Sequence, residues 1–162
     1  MTSAPSAVPD DARLPEVPVT VVVVDDDPDV RLLVRHKLRR AGMELVGEAC
    51  DGADAVEVVH RTQPDVVLLD LHMPGTSGDE ALPHLVGVAP SAMVVIFSAG
   101  DLCEAGRREL LRKGAAAYYD KADAFQLSDL LTEDLARFRR ATACQDGPRL
   151  TTVTEEGAGR GS

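Results

Sequence analysis

The chain has 162 residues, of which 44% are hydrophobic and 27% are charged. This composition is typical of a soluble globular domain and argues against a largely disordered or membrane-embedded chain. The 17 Lys and Arg residues are outnumbered by 27 Asp and Glu residues, so the formal net charge is −10 at pH 7, and we expect no attraction to nucleic acid or anionic lipid. The sequence contains neither a signal-peptide pattern nor an apolar run long enough to cross a bilayer, so we expect a cytoplasmic protein without membrane insertion.

Both ends of the chain differ in composition from its middle. Residues 1–18 contain four prolines among small and acidic residues, and residues 141–162 contain few apolar residues. We therefore predict disordered tails at 1–18 and 141–162 and one folded domain over 19–140. The segment after 140 is too short and too polar to form a second domain.

Apolar, strand-like segments alternate with helical segments through the middle of the chain. This alternation predicts parallel strands joined by crossovers, and hence an α/β fold with a doubly wound five-stranded parallel sheet and helices on both faces. The predicted strands are 19–24, 43–49, 65–69, 93–97 and 116–119, and the last three predicted helices are 79–88, 101–113 and 124–140.

Capping and helix-breaking residues refine three of the helices. The first has Asp27 as its expected N-cap and Pro28 at its first position. Pro83 predicts that the third helix either begins as late as Asp79 or Glu80 or is kinked. Gly106 lies inside the fourth helix and costs about 1 kcal/mol relative to Ala, so we expect that helix to be the mobile one.

Polar residues follow the strands at the sheet edge where open α/β sheets bind ligands. Each residue taken alone would be an ordinary turn or cap residue, but their joint occurrence at four strand ends favours a functional site. They are Asp25, Asp26 and Asp27 after the first strand, Asp70 after the third, Ser98 after the fourth, and Asp120 and Lys121 after the fifth.

Carboxylates packed together either share a proton or bind a hard cation, and Mg²⁺ suits such a set best. The three cysteines are widely separated and predict neither a disulfide framework nor a zinc site. With its charge screened by the metal, Asp70 would attack a phosphoryl group and form an acyl phosphate. Lys121 would pair with the new charge, and Ser98 would donate a hydrogen bond to it.

Four segments, in this order and at these separations, resemble the receiver domain of two-component response regulators. The resemblance covers about residues 18–140 and implies a flavodoxin-like sheet of order 2-1-3-4-5. From the short polar segment after 140 we expect a stand-alone, CheY-like receiver, and the alternative is a receiver excised from a longer chain. The segments are VVVVDDDPDVRLLVRHKL, PDVVLLDLHMPGTSG, VVIFSAG and GAAAYYDKAD.

Carried over by position, the resemblance assigns a role to each candidate residue. Asp70 matches the phosphorylated aspartate, and Ser98 and Lys121 match the residues that contact the phosphoryl group. Tyr118 matches the aromatic switch residue. The Mg²⁺ ligands would be Asp25, Asp26, Asp70 and the backbone carbonyl of His72.

The chain departs from the family pattern in the loop that carries the lysine. The family usually has a proline after the lysine, often with a cis peptide bond, whereas Ala122 stands here. A cis bond before a residue other than proline costs about 2.5–4 kcal/mol, so we expect a trans bond and a different loop. Of the four histidines, only His72 is expected near the site; we expect His36, His60 and His84 on the surface.

The resemblance implies a phosphorylation-controlled signalling switch rather than an enzyme acting on other substrates. Its phosphodonor would be a sensor histidine kinase or a phosphotransfer protein. The new charge would draw Ser98 and Lys121 inward and repack Tyr118. The signal would leave by protein contact through the fourth helix, fifth strand and fifth helix, a face that could also form a homodimer.

Two other functions are considered. One is an interaction module that keeps the receiver fold without control by phosphorylation, which the missing proline after Lys121 leaves open. The other is an aspartyl phosphatase of the haloacid dehalogenase type, which requires a second aspartate two residues after the nucleophile. His72 occupies that position and counts against the phosphatase.

Overall fold

The computed structural model describes residues 17–145. The predicted tails therefore lie outside the described residues, except for 17–18 and 141–145. The elements in chain order are β1 Thr20–Val24, α1 Pro28–Arg40, β2 Glu44–Ala49, α2 Gly52–Thr62, β3 Val66–Leu69, α3 Gly78–Val88, β4 Met93–Ser98, α4 Glu104–Arg112, β5 Ala117–Asp120, a 3₁₀ segment Lys121–Gln126 and α5 Leu127–Gln145.

The five strands form one parallel sheet of order β2-β1-β3-β4-β5, as predicted. Strands β3 and β4 are buried along their whole length, and β1 is buried after its first residue. Central strands covered on both faces need apolar side chains on both faces, which explains their continuous Val, Ile and Leu runs.

Helices cover both faces of the sheet, and each face has its own apolar core. Helices α1 and α5 pack on one face, where Val34, Leu38 and Leu131 are fully buried. Helices α2, α3 and α4 pack on the other, around Val59 and Leu85. Of α4 only Leu110 is buried, so this helix is the least anchored of the five.

Helix α3 begins at Gly78, one residue before Asp79, the earlier of the two predicted starts. It continues through Pro83. Ser77 and Glu80 form a capping box, in which each side chain accepts a hydrogen bond from the other residue's backbone N–H. This box fixes the start of the helix, and the exposed Pro83 is accommodated within it.

The predicted last helix, 124–140, corresponds to α5, which begins and ends later in the chain. Helix α5 continues to Gln145, and the Thr142 hydroxyl donates to the carbonyl of Phe138 at 3.1 Å. The segment 141–145 contains no glycine or proline to end the helix, which explains the extension. No helix among residues 17–145 is long and apolar enough to cross a membrane.

Candidate functional site

Four of the predicted site residues meet at the carboxyl end of the sheet. Asp25 follows β1, Asp70 follows β3, Ser98 ends β4 and Lys121 follows β5. The exposed fractions of Asp25, Asp70 and Ser98 are only 1%, 3% and 1%. Ionisable groups are rarely buried to this extent unless they are paired, so this end of the sheet is a specialised polar environment.

Both carboxylate oxygens of Asp70 have partners. The Ser98 hydroxyl donates to Oδ1 at 2.9 Å, and the backbone N–H of His72 donates to the same oxygen at 3.3 Å. The Lys121 Nζ lies 3.1 Å from Oδ2. Ser98 and Lys121, which we expected a phosphoryl group to draw inward, thus already contact Asp70, because a buried carboxylate is costly without partners.

Asp25 is less well satisfied than Asp70. Its Oδ1 accepts a hydrogen bond from the backbone N–H of Asp27 at 3.0 Å. Its buried Oδ2 lies 2.6 Å from the Lys121 Nζ, and among the described residues this ammonium group is its partner. The positive charge that Asp25 relies on is therefore shared with Asp70.

The electrostatics of the two groups follow from burial and from one another. Burial raises the pKa of Asp25, and the negative charge of Asp70 adds to this rise, while Lys121 and the Asp27 N–H oppose it. Burial by itself lowers the pKa of Lys121, but its contacts with Asp25 and Asp70 outweigh burial and raise it. Lys121 is thus held in its charged form, and one ammonium group serves two carboxylates.

The acidic residues of this edge divide into two groups. Asp25, Asp26 and Asp70 each offer an oxygen, and these oxygens lie within 4.8 Å of one another. Asp27 instead caps α1 by accepting from the backbone N–H of Asp29 at 2.9 Å, and Asp120 caps the 3₁₀ segment. Clustered carboxylate oxygens are the kind of hard ligand that fits Mg²⁺, and the first group is the one that provides them.

The 3₁₀ segment after β5 explains how Lys121 reaches the site without a proline after it. The backbone N–H of Ala122 donates to Asp120 Oδ1 at 2.8 Å, a bond that proline could not form. The peptide bonds of the described residues are all trans, as we predicted for the bond after Lys121. The loop is therefore held by a cap rather than by a proline.

Two contributors to the site were missed from the sequence. A Cβ atom on Gly78 would lie 2.0 Å from the carbonyl oxygen of Asp70, so only glycine allows α3 to start this close to β3. Arg31 donates from its guanidinium to the carbonyl of Asp25 at 2.6 Å. Gly78 falls in the segment PGTSG and could have been flagged as a close-approach glycine, whereas the sequence gives no signal for Arg31.

The remaining predicted residues lie around the edge of the site. The Tyr118 hydroxyl donates to the carbonyl of Gly100 at 2.8 Å, and the guanidinium carbon of Arg107 lies 4.8 Å from the centre of its ring. Burial raises the pKa of Tyr118, as do nearby carboxylates, Asp120 first among them, against the opposing charge of Arg107. The side chain of His72 is exposed, and so are His36, His60 and His84, as expected.

Comparison with known proteins agrees with this architecture. Residues 21–133 match the model of the response regulator receiver domain. The transcriptional regulatory protein PdtaR of Mycobacterium tuberculosis (strain ATCC 25618 / H37Rv) is 36% identical over 144 residues, which cover 86% of this chain and 66% of that protein. The nitrate/nitrite response regulator NarL of Escherichia coli (strain K12) is 34% identical over 121 residues, covering 74% and 52%. The chain thus spans less than two thirds of the length of these relatives.

Solved structures show the same fold. A LuxR-family two-component response regulator from Aurantimonas sp. SI85-9A1 superposes with a TM-score of 0.68 at 29% identity, covering 80% of this chain and 98% of that chain. The signal receiver domain of the putative response regulator NarL from Mycobacterium tuberculosis superposes with a TM-score of 0.59 at 31% identity, covering 81% and 98%.

Proposed function

The chain belongs to the family of response regulator receiver domains, the signalling modules of two-component systems, and on that basis we propose that it is a switch controlled by phosphorylation of Asp70. One observation carries the proposal. The buried carboxylate of Asp70 has the Ser98 hydroxyl on one oxygen and the Lys121 ammonium on the other. These are the two donors that a phosphoryl group on Asp70 would need.

The proposed reaction transfers a phosphoryl group from a phosphohistidine. An oxygen of Asp70 forms a bond to phosphorus as the P–N bond breaks, and the electron pair of that bond returns to the imidazole, which takes up a proton. Lys121 pairs with the negative charge of the acyl phosphate, and Ser98 donates a hydrogen bond to one of its oxygens. The chain would catalyse only its own phosphorylation and dephosphorylation.

Asp25, Asp26 and Asp70 would hold the metal, together with the backbone carbonyl of His72. The two buried carboxylates of Asp25 and Asp70 support this assignment, because they share a single ammonium group and a bound cation would add the second positive charge. When bound, Mg²⁺ supplies the positive charge that lets phosphoryl oxygens approach these carboxylates. Asp26 is exposed and Asp25 buried, so the set is open to solvent on one side, where a phosphodonor would enter.

The phosphodonor would be a sensor histidine kinase or a phosphotransfer protein. We propose that the output is contact with a downstream protein, or with a second copy of the chain, through the face formed by α4, β5 and α5, because Tyr118 lies on β5 beside α4. We also infer a reducing, cytoplasmic setting from the three exposed free thiols, Cys50, Cys103 and Cys144.

The test is phosphorylation of the full chain with acetyl phosphate and Mg²⁺, followed by intact-mass measurement. We expect one phosphoryl group on the wild type and none on Asp70→Asn, with removal of the group by hydroxylamine, which cleaves acyl phosphates. Asp51→Asn is the matched control, because Asp51 caps α2 through the backbone N–H of Asp54 and asparagine caps equally well.

Equal labelling of the wild type and Asp70→Asn would refute the assignment of the acceptor. Absence of labelling in every form, with unchanged partner binding in the presence of beryllofluoride, would favour the phosphorylation-independent interaction module instead.

A further inference from the structure

Tyr118 joins three elements that lie beside the acidic site. Its hydroxyl donates to the carbonyl of Gly100, which stands two residues after Ser98 in the loop between β4 and α4. Its ring lies under the guanidinium of Arg107, which belongs to α4. The side chain of one β5 residue is therefore held by both the loop and the helix that follow Ser98.

The loop and the helix have other contacts too: Leu102 packs against the core, and Lys113 at the end of α4 pairs with Asp79 at 2.6 Å. Gly100 has a φ of +100°, which residues with a side chain rarely adopt. Cys103 precedes α4 as its N-cap residue but forms no side-chain capping bond. Leu110 is the only buried residue of α4, and near the start of the helix the Tyr118 contacts add to this anchoring.

Arg107 differs from the two other arginines of its helix. Arg108 forms an ion pair with Glu104, and Arg112 forms one with Glu109. Within residues 17–145, Arg107 forms no ion pair and instead lies 4.8 Å from the centre of the Tyr118 ring. This distance is within the range of an attractive cation–π contact, which would stabilise the ring where its hydroxyl meets Gly100.

We propose that Arg107 is a positioning residue that acts through Tyr118 to keep the hydroxyl of Ser98 directed at Asp70. The chain of contacts runs from Arg107 to the Tyr118 ring, from the Tyr118 hydroxyl to Gly100, and along two residues of backbone to Ser98, whose hydroxyl lies 2.9 Å from Asp70. This inference rests on the proposed phosphorylation of Asp70, and it adds a residue that influences the rate at which Asp70 is phosphorylated.

The experiment measures the initial rate of phosphorylation by acetyl phosphate, at a fixed concentration below saturation, with Mg²⁺ present. Arg107→Ala should be two- to five-fold slower than the wild type, the loss expected for an exposed cation–π contact. Arg107→Lys should regain part of the rate, because an ammonium group can still lie over the ring. Arg108→Ala, the neighbouring arginine with a different partner, should keep the wild-type rate.

A double-mutant cycle separates this role from a general effect on α4. In a Tyr118→Ala background, Arg107→Ala should cause no further loss of rate, because its partner is absent. The same loss in both backgrounds would overturn the proposal, and so would a wild-type rate in Arg107→Ala, even if its melting temperature were lower. Failure of the wild type to label would instead contradict phosphorylation of Asp70, and the role of Arg107 would fall with it.

Discussion

Two aspartates at opposite ends of the sheet differ in how well their carboxylates are paired. Asp65 lies at the amino end and Asp25 at the carboxyl end. Asp65 Oδ2 accepts from the backbone N–H and the hydroxyl of Thr20 at 2.9 and 3.0 Å, and its Oδ1 accepts from Arg139 at 2.8 Å. Asp25 accepts one backbone hydrogen bond, from the N–H of Asp27, and shares its cationic partner, Lys121, with Asp70.

The pKa values shift in opposite directions for this reason. Burial would raise the pKa of Asp65, but the bonds from Thr20 and Arg139 outweigh it and hold the pKa below its ordinary value of 3.8. At Asp25 burial prevails, and the pKa is raised. The charged form of Asp65 thus stabilises the fold, whereas the charged form of Asp25 costs stability. The amino end of the sheet is arranged for stability, whereas the carboxyl end keeps two buried carboxylates for one lysine.

The largest effect on stability is expected from Lys121→Met. This variant leaves Asp25 and Asp70 buried without their cation, and we expect a loss of about 3 kcal/mol in the free energy of unfolding at pH 7 in EDTA. Mg²⁺ should raise the free energy of unfolding of Lys121→Met by more than it raises that of the wild type, because it replaces the missing positive charge. Urea unfolding with and without Mg²⁺ measures both quantities.

Lys113→Met is the matched control for that variant. Lys113 pairs with Asp79 at 2.6 Å, but the two side chains are 30% and 48% exposed, so removal of this cation should cost less than about 1 kcal/mol. If Lys113→Met and Lys121→Met lowered the free energy of unfolding equally, the claim that the buried carboxylates at the carboxyl end depend on Lys121 would be contradicted.

A smaller loss is expected from Asp65→Asn. The variant weakens bonds to a charged acceptor, and we expect about 1 kcal/mol at pH 7, since the carboxylate is 34% exposed and partly screened. Because the pKa of Asp65 is lowered on folding, its contribution is present above its unfolded pKa and is lost as pH falls through the folded one. The wild type and the variant should therefore converge in stability below pH 3.8. A difference that stays constant across that range would contradict a stabilising role for the charged form of Asp65.

The smallest effect, and one of opposite sign, is expected from Asp25→Asn. Without a divalent cation the neutral amide removes a desolvated charge, so stability should be unchanged or should rise by about 1 kcal/mol. The variant should also gain less stability from Mg²⁺ than the wild type. Thermal melts in EDTA and in Mg²⁺ decide this, and a clear loss of stability in EDTA would show that the Lys121 contact outweighs burial.

Sequence alone was enough to predict the parallel sheet and the convergence of Asp25 and Asp70. Both depend on the continuous apolar runs of the central strands and on the rule that polar residues after parallel strands meet at one edge. The roles of Asp25, Asp26, Asp70, Ser98 and Lys121 stay predictions, whereas their proximity is a property of the fold.

Other features depend on tertiary geometry that a pattern cannot contain. The bond from Tyr118 to Gly100 requires a positive φ at Gly100 and the position of α4. The cap from Asp120 to Ala122 stands where the family usually has a proline. The segment 141–145 contains no glycine or proline, so α5 extends beyond its predicted end.

The ion pair between Arg139 and Asp65 also fixes where the two ends of the described range, 17–145, lie. It fastens α5 to the amino end of the sheet, the end at which β1 starts, so Val17 and Gln145 both lie on the side away from Asp70. A surface tether or a fluorescent label attached near either residue would leave the acidic edge facing outward. Immobilised chains of uniform orientation could therefore present that edge to candidate phosphodonors in a binding assay.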